Sequence, residues 1–217
     1  MIYKDFKNID IKTTKGVSPP GKDTMIIAKH ASQLNFKLAL EIGTGTGFIP
    51  IYLEKGGLSC QGSDINPKSI ECSIENALKN NCKTNFFISN LFQKVTEKYD
   101  LIILFEVLEH IDSWDKTLLK IKKFLKKGGL IILSTINRNI VSNILAIKFA
   151  ENILRWVPKN THDYNKLITP EELEKVLIKE DFSILDFSGL VFNPLDREWR
   201  LSKKIKLVNY FCTARLN

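Results

Sequence analysis

Four residues at alternate positions have the types needed to bind a small polar ligand at a turn. Glu41, Gly43, Gly45 and Gly47 follow a short apolar run and precede a helical pattern. Glycine lets the backbone turn tightly and approach a ligand where a Cβ atom would collide. Asp64 ends the next short run, 21 residues after Gly43, where a carboxylate can accept hydrogen bonds from both hydroxyls of a ribose.

The spacing of these residues distinguishes between ligands. The loop reads GxGxG with an acid two residues before the first glycine, whereas the dinucleotide fingerprint is GxGxxG and has no such acid. A methionine group needs backbone N–H donors for its carboxylate and an acidic neighbour for its amino group. The motif therefore predicts a site for S-adenosylmethionine, and the alternative is a turn followed by a helix-capping aspartate.

Three further residues are expected to complete this site. Asn90 and Leu91 follow the third predicted strand, where they can contact the edge and the face of an adenine. Phe105 ends the fourth strand and is expected beside the sulfonium. Their assignment depends on strand order, because open α/β sheets bind ligands at the carboxyl ends of their strands.

A second cluster, Glu106, Glu109 and His110, has the i, i+3, i+4 spacing that places side chains on one face of a helix. Such a set can hold a divalent ion that lowers the pKa of an acceptor hydroxyl. Alternatively, His110 acts as a general base near neutral pH, oriented by a carboxylate. The third alternative is a structural role at the end of the sheet.

These residues need a framework that brings strand ends together. Apolar runs predict strands at 37–42, 58–64, 85–88, 99–105, 129–135, 183–190 and 206–214. Helical patterns lie at 23–34, 48–55, 67–80, 114–125 and 170–180. The alternation predicts an α/β, Rossmann-like class I methyltransferase fold with a seven-stranded, mostly parallel sheet, an antiparallel last strand and helices on both faces.

The whole chain sets broader limits. Its 217 residues predict a single domain, 1–217, whose first part is an N-terminal segment, 1–36. The net charge of +8 favours anionic partners, or reflects only a lysine-rich composition. The four cysteines lack zinc spacing, the N-terminus lacks a secretory h-region, and no long apolar run occurs, so we expect a cytoplasmic protein.

The chain from 99 to 217 resembles the ubiquinone-biosynthesis O-methyltransferase family. The resemblance is carried by 105–110 (FEVLEH), 134–139 (STINRN), 150–155 (AENILR), 157–163 (VPKNTHD), 189–195 (GLVFNPL) and 208–210 (VNY). It implies S-adenosylmethionine as methyl donor and O-methylation of a polyprenylated catechol. It also implies magnesium, held by Glu106, Glu109 and His110 against both catechol oxygens.

The N-terminal third departs from this family. The family carries an Arg in an Asn-Pro-Leu-Arg segment ahead of the glycine loop, whereas 16–24 here reads GVSPPGKDT and offers Lys22 as a candidate substitute. That segment resembles the one that precedes the glycine loop in protein-glutamine and release-factor N-methyltransferases. Those enzymes hold an amide with Asn-Pro-Pro-Tyr after the fourth strand, where this chain has FEVL, so O-methylation is favoured.

The segment 139–168 is expected to form an amphipathic lid over the substrate, with Asn137, His162 and Asp163 as its polar contacts. Within it, 139–159 carries apolar residues at helical spacing, a basic face and Trp156, as in helices that lie on an anionic bilayer. We therefore expect either lid packing or peripheral contact with the inner face of the membrane, and the two are compatible.

Two other functions stay open. One is methylation of a protein or an RNA, although no RNA-binding module or motif is present and no nucleic-acid partner is expected. The other is a catalytically silent protein that binds lipid or an assembly partner. The intact glycine loop, Asp64 and the acidic cluster argue against silence.

Overall fold

The computed structural model describes residues 2–3, 8–139, 142, 164–193 and 198–217. The predicted lid residues His162 and Asp163 and most of the segment 139–168 lie outside the described residues. The chain divides into two compact units, the first with 1–103 and 123–129 and the second with 104–122 and 130–217. One domain over 1–217 stays a prediction.

The elements follow the predicted alternation of strands and helices. The strands are β1 (Ile2–Tyr3), β2 (Ile9–Asp10), β3 (Leu38–Ile42), β4 (Ser59–Asp64), β5 (Phe86–Ile88), β6 (Tyr99–Phe105), β7 (Leu125–Ile136), β8 (Phe182–Asn193), β9 (Glu198–Ser202) and β10 (Asn209–Leu216). The helices are α1 (Lys22–Ser32), α2 (Phe48–Glu54), α3 (Pro67–Lys79), α4 (Trp114–Phe124) and α5 (Pro170–Lys179), with 3₁₀ turns at Leu108–His110 and Tyr164–Lys166.

The described residues form a main sheet in the order β5-β4-β3-β6-β7-β10-β8-β9, beside a small antiparallel pair of β1 and β2. In the first unit β3 pairs parallel with β4, and β4 pairs parallel with β5. In the second unit β10 runs antiparallel to both β7 and β8. The α/β, Rossmann-like prediction is confirmed, including the antiparallel last strand.

Two details differ from the prediction. The main sheet has eight strands instead of seven, because β9 pairs antiparallel with β8 at the edge. Its sequence, EWRLS, carries charges between its apolar residues, as edge strands do, and so gives no apolar run to detect. The fifth strand also begins earlier than predicted, at Leu125 instead of Gly129, so that Gly128 and Gly129 lie inside β7.

Local signals determine where the helices begin. In α3, Asn66 caps the helix by accepting a hydrogen bond from Lys68 N at 3.1 Å, and Pro67 occupies the first turn. In α5, Thr169 and Glu172 form a reciprocal capping box, with bonds of 3.2 and 2.9 Å. Capping residues in the sequence thus determine where α3 and α5 begin.

Each unit has an apolar core built from its strands and the helices beside them. In the first unit the fully buried residues include Ala39, Leu40, Ile49, Ile51, Leu53 and Leu101. In the second they include Leu104, Leu108, Leu118, Ile121, Ile131, Ile132, Leu133, Leu173, Leu177 and Tyr210. The continuous apolar runs of β6 and β7 are therefore explained by burial.

Candidate active site

The glycine loop between β3 and α2 is held by backbone hydrogen bonds from the neighbouring strand. Gly43 N and Thr44 N both donate to Ser63 O, at 2.8 and 2.9 Å. Gly43, Gly45 and Gly47 have φ values of 78°, 53° and 78°, in the left-handed region that disfavours other residues. The loop therefore needs glycine at these three positions for its conformation.

Asp64 closes the loop from the end of β4. Its Oδ2 accepts from Gly45 N at 3.0 Å and its Oδ1 accepts from Asn66 N at 2.9 Å. A carboxylate oxygen has more than one lone pair, so both oxygens can accept further hydrogen bonds, such as those of ribose hydroxyls. The structure thus brings Asp64 and the predicted glycine loop together.

Glu41 lies under the same loop. It is 3% exposed, and its Oε2 accepts from Thr44 Oγ1 at 2.6 Å. Burial raises the pKa of Glu41 to about 8, and the nearby Asp64 charge adds to the rise. The carboxyl is therefore protonated near neutral pH, and an arriving ammonium group would favour its ionised form.

Asn90 and Leu91 follow β5, next to Asp64. Ser89 N donates to Asp64 O at 2.9 Å, which joins the ends of β4 and β5. Asn90 is exposed, and Leu91 is half-buried with a φ of 49°. Both positions agree with the predicted edge and face contacts to an adenine, which stay predictions.

The α-helix on which a shared face of Glu106, Glu109 and His110 depends does not form, since the structure has a 3₁₀ turn over Leu108–His110. Glu106 precedes the 3₁₀ turn with a φ of 53°, its N–H donates to Ser134 O at 3.1 Å, and its Oε1 accepts from Asn209 Nδ2 at 2.9 Å. Glu109 is 3% exposed, whereas His110 is exposed. Glu106 lies outside the 3₁₀ turn and has a left-handed backbone, so helical spacing does not relate its side chain to those of Glu109 and His110.

The same geometry bears on metal binding. Thr135 Oγ1 donates to Glu109 Oε2 at 2.9 Å, and Oε1 has no hydrogen-bond partner. Burial raises the pKa of Glu109 to about 7. No group of three His, Cys, Asp or Glu residues able to hold a metal ion occurs in the part of the chain that the structure describes. These residues do not fit a magnesium site as they lie, and magnesium stays an implication of the resemblance.

Phe105 and Asn137 also lie in the second unit. Phe105 is half-buried at the end of β6. Asn137 follows β7, where its N–H donates to Val208 O at 2.7 Å and its Nδ2 donates to Lys206 O at 2.6 Å.

Asn137 lines a cavity of about 480 Å³ together with apolar and charged side chains of α5, β8 and the chain before β10. The other lining residues are Pro170, Glu171, Glu174, Phe187, Lys204, Ile205, Lys206 and Leu207. A volume of this size is typical of small-molecule sites.

Three residues near the loop were not predicted from the sequence. Thr44 bonds Glu41, and Ser63 O accepts two loop amides. A Cβ on Gly62 would lie 2.6 Å from the Phe86 ring and 2.7 Å from Thr44 Oγ1, so β4 needs glycine there. The signal available was a glycine inside a strand, which marks a close approach of other atoms.

Comparisons with known proteins agree with this geometry. Residues 29–186 match the sequence profile of a family described as methyltransferase domain. A ubiquinone biosynthesis O-methyltransferase of Rickettsia akari (strain Hartford) is 39% identical over 84% of this chain and 72% of its own length. One of Rhizobium etli is 35% identical over 86% of this chain and 76% of its own length.

Two solved structures share the fold. Magnesium protoporphyrin IX methyltransferase from Synechocystis PCC 6803 with bound SAH has a TM-score of 0.64 and 19% identity, covering 90% of this chain and 80% of its own. A possible histamine N-methyltransferase from Thermotoga maritima has a TM-score of 0.64 and 14% identity, covering 88% and 87%. At these identities the likeness shows the class I methyltransferase fold.

Proposed function

Because this chain belongs to the ubiquinone biosynthesis O-methyltransferase family, we propose that it transfers the methyl group of S-adenosylmethionine to a phenolic oxygen of a polyprenylated catechol or quinone intermediate of ubiquinone biosynthesis. The assignment of S-adenosylmethionine as methyl donor rests on the glycine loop, in which Gly45 N donates to Asp64 Oδ2 and Glu41 is buried. The loop supplies the N–H donors and the acid that a methionine group needs.

In the reaction, the acceptor oxygen attacks the methyl carbon while the bond from that carbon to sulfur breaks. The electron pair of that bond stays on sulfur, which leaves S-adenosylhomocysteine. The protein contributes by placing the two reactants in line and by removing the phenolic proton. We assign removal of the phenolic proton to the imidazole of His110, since His110 is exposed, whereas Glu109 is buried.

For the acceptor ring we propose the cavity that Asn137 lines. Phe187, Ile205 and Leu207 offer apolar contact for an aromatic ring, and the amide of Asn137 offers a polar contact for a hydroxyl. His162 and Asp163, outside the described residues, stay predicted contacts of the substrate lid.

We further propose peripheral contact with an anionic membrane surface through 139–159, so that a prenyl tail remains in the bilayer. Within the described chain, 199–207 (WRLSKKIKL) supports this. Trp199, Leu201, Ile205 and Leu207 are 40–52% exposed, and four basic residues separate them with no acid. Among the described residues, no helix is long and apolar enough to cross a membrane.

The activity is tested by methyl transfer from labelled S-adenosylmethionine to a short-chain prenylated catechol. His110→Asn is expected to lower kcat by about 100-fold, the contribution of a general base. His30→Asn, on α1 of the first unit, is the matched control and is expected to keep wild-type kcat. Asn137→Ala is expected to raise the KM for the catechol and to leave the KM for S-adenosylmethionine unchanged.

The other outcomes identify the rival functions. Binding of S-adenosylmethionine without transfer to any catechol would contradict the acceptor and direct the search to proteins or RNA. Failure to bind S-adenosylmethionine would indicate a silent protein. Flotation with phosphatidylglycerol vesicles tests the membrane contact: Lys203→Glu with Lys204→Glu should reduce binding, and Lys120→Glu on α4 should not.

A further inference from the structure

A buried asparagine on α3 connects the glycine loop to the start of the chain. Asn76 is 0% exposed. Its Nδ2 donates to Thr46 O at 2.9 Å and to Lys12 O at 3.0 Å, and its Oδ1 accepts from Lys12 N at 2.9 Å. It also approaches Cys72 Sγ at 3.6 Å. Both hydrogens and the oxygen of this amide are therefore used between two segments that are distant in sequence.

One helical turn later, Asn80 holds the chain in the same way but does not reach the loop. Its Oδ1 accepts from Asp10 N at 2.9 Å and its Nδ2 donates to Asp10 O at 2.8 Å. The second amide hydrogen goes to Asn76 O, at 2.8 Å, within α3 itself. The two asparagines thus bind adjacent parts of the N-terminal segment 9–12, and Asn76 alone of the pair also bonds Thr46.

Thr46 lies where the loop most needs support. It sits between Gly45 and Gly47, both with positive φ, so the local sequence gives the loop little preference for one conformation. Thr46 is 4% exposed, so water has poor access to replace a lost hydrogen bond. A buried carbonyl without a partner is costly, so the Asn76 bond selects the conformation in which Thr46 O points at α3.

We propose that Asn76 is a positioning residue for S-adenosylmethionine, and that the docked N-terminal segment 9–12 supports the glycine loop through Asn76. Asn76 holds the loop in its binding conformation before the ligand arrives, so the ligand does not have to order it. The segment 9–12 fixes the Asn76 amide from the other side. Release of that segment therefore loosens the loop, and binding of the cofactor strengthens the docking of the segment.

The test compares Asn76→Ala with its matched control, Asn80→Ala. Both variants remove a buried amide that holds the N-terminal segment 9–12, so both are expected to lower the thermal midpoint. Calorimetry with S-adenosylhomocysteine should show about tenfold weaker binding for Asn76→Ala, equivalent to ~1.4 kcal/mol. Asn80→Ala removes the bonds to Asp10 but keeps the bonds from Asn76 to Lys12 and Thr46, so it should change binding by less than about twofold, which is roughly 0.4 kcal/mol.

Kinetics separates positioning from a general loss of structure. Asn76→Ala should raise the KM for S-adenosylmethionine at an unchanged KM for the methyl acceptor. Equal losses of cofactor affinity in the two variants, in proportion to their thermal midpoints, would overturn the proposal.

A measurement on the wild-type chain keeps the proposal testable if Asn76→Ala does not fold. Saturation with S-adenosylhomocysteine should slow hydrogen exchange of the Lys12 amide as well as the Gly45 amide. The Lys83 amide, which donates to Glu54 Oε1 at 2.7 Å elsewhere in the first unit, serves as the control. Slower exchange at Gly45 with no change at Lys12 would show that the N-terminal segment and the loop are not coupled.

Discussion

Replacing Gly47 by alanine tests how closely the glycine loop is packed. Gly47 is the N-cap residue of α2 and has a φ of 78°. A Cβ there would lie 2.8 Å from both Phe86 Cζ and Ser73 Cβ, closer than such atoms approach in proteins. The substitution therefore adds two costs, a left-handed backbone for a residue with a Cβ and an overlap with buried side chains.

The two costs can be separated with Gly57, which has a φ of 80° and no atom within 4 Å of the added Cβ. Gly57→Ala has only the backbone cost, about 1–2 kcal/mol. Gly47→Ala adds the overpacking cost, about 1–3 kcal/mol, so its total is roughly 2–5 kcal/mol. For a chain of this length each kcal/mol lowers Tm by about 2–4 °C.

The assay is thermal unfolding of both variants, followed by binding of S-adenosylmethionine. We expect a larger fall in Tm for Gly47→Ala than for Gly57→Ala, and weaker cofactor binding for Gly47→Ala alone. In a double-mutant cycle, Phe86→Leu should recover part of the loss because it removes the ring atom nearest the new methyl group. Equal falls in Tm for the two glycine variants would refute the reasoning, since they would leave no cost for the overlap.

Burial raises the pKa of Glu41 to about 8 from 4.5, so its contribution to stability is full below about pH 4.5 and is lost as the pH rises through about 8. Glu41→Gln should therefore gain in Tm relative to wild type from about pH 5 to pH 8, and parallel profiles would contradict this. Asp100 Oδ2 accepts from Leu38 N at 2.9 Å and Lys126 Nζ at 2.8 Å. Asp100→Ala should cost about 1–3 kcal/mol in urea unfolding, and Lys126→Met less than about 1 because that ion pair is partly exposed. Thr169→Ala removes the cap of α5 and should cost about 1 kcal/mol, whereas a loss near zero would mean that the cap is dispensable.

The sequence by itself determined the α/β fold and the glycine loop that follows β3. Strands buried on both faces, such as β6, appear as continuous apolar runs, and glycine marks the turn that follows β3. The residues Glu41, Gly43 and Gly45 are close in the chain, so local chemistry was enough to predict their shared site. Asp64 could be placed with them because neighbouring parallel strands end at the same edge.

Only the tertiary structure determined how Glu106, Glu109 and His110 are arranged. The spacing of Glu106, Glu109 and His110 implied one face on the assumption of a helix. Instead the N–H of Glu106 is held by Ser134 on β7, and Glu109 is buried against Thr135. A partner in another strand thus outweighed the local pattern.

The support of the loop by Asn76 was equally out of reach of the sequence. Lys12 and Asn76 are 64 residues apart, and Thr46 and Asn76 are 30 apart. No local periodicity relates such positions, because an amide of this kind acquires its role only when folding buries it beside two backbone segments. Residue type and spacing report what a segment can do alone, whereas the partners of buried polar groups are set by how the segments pack.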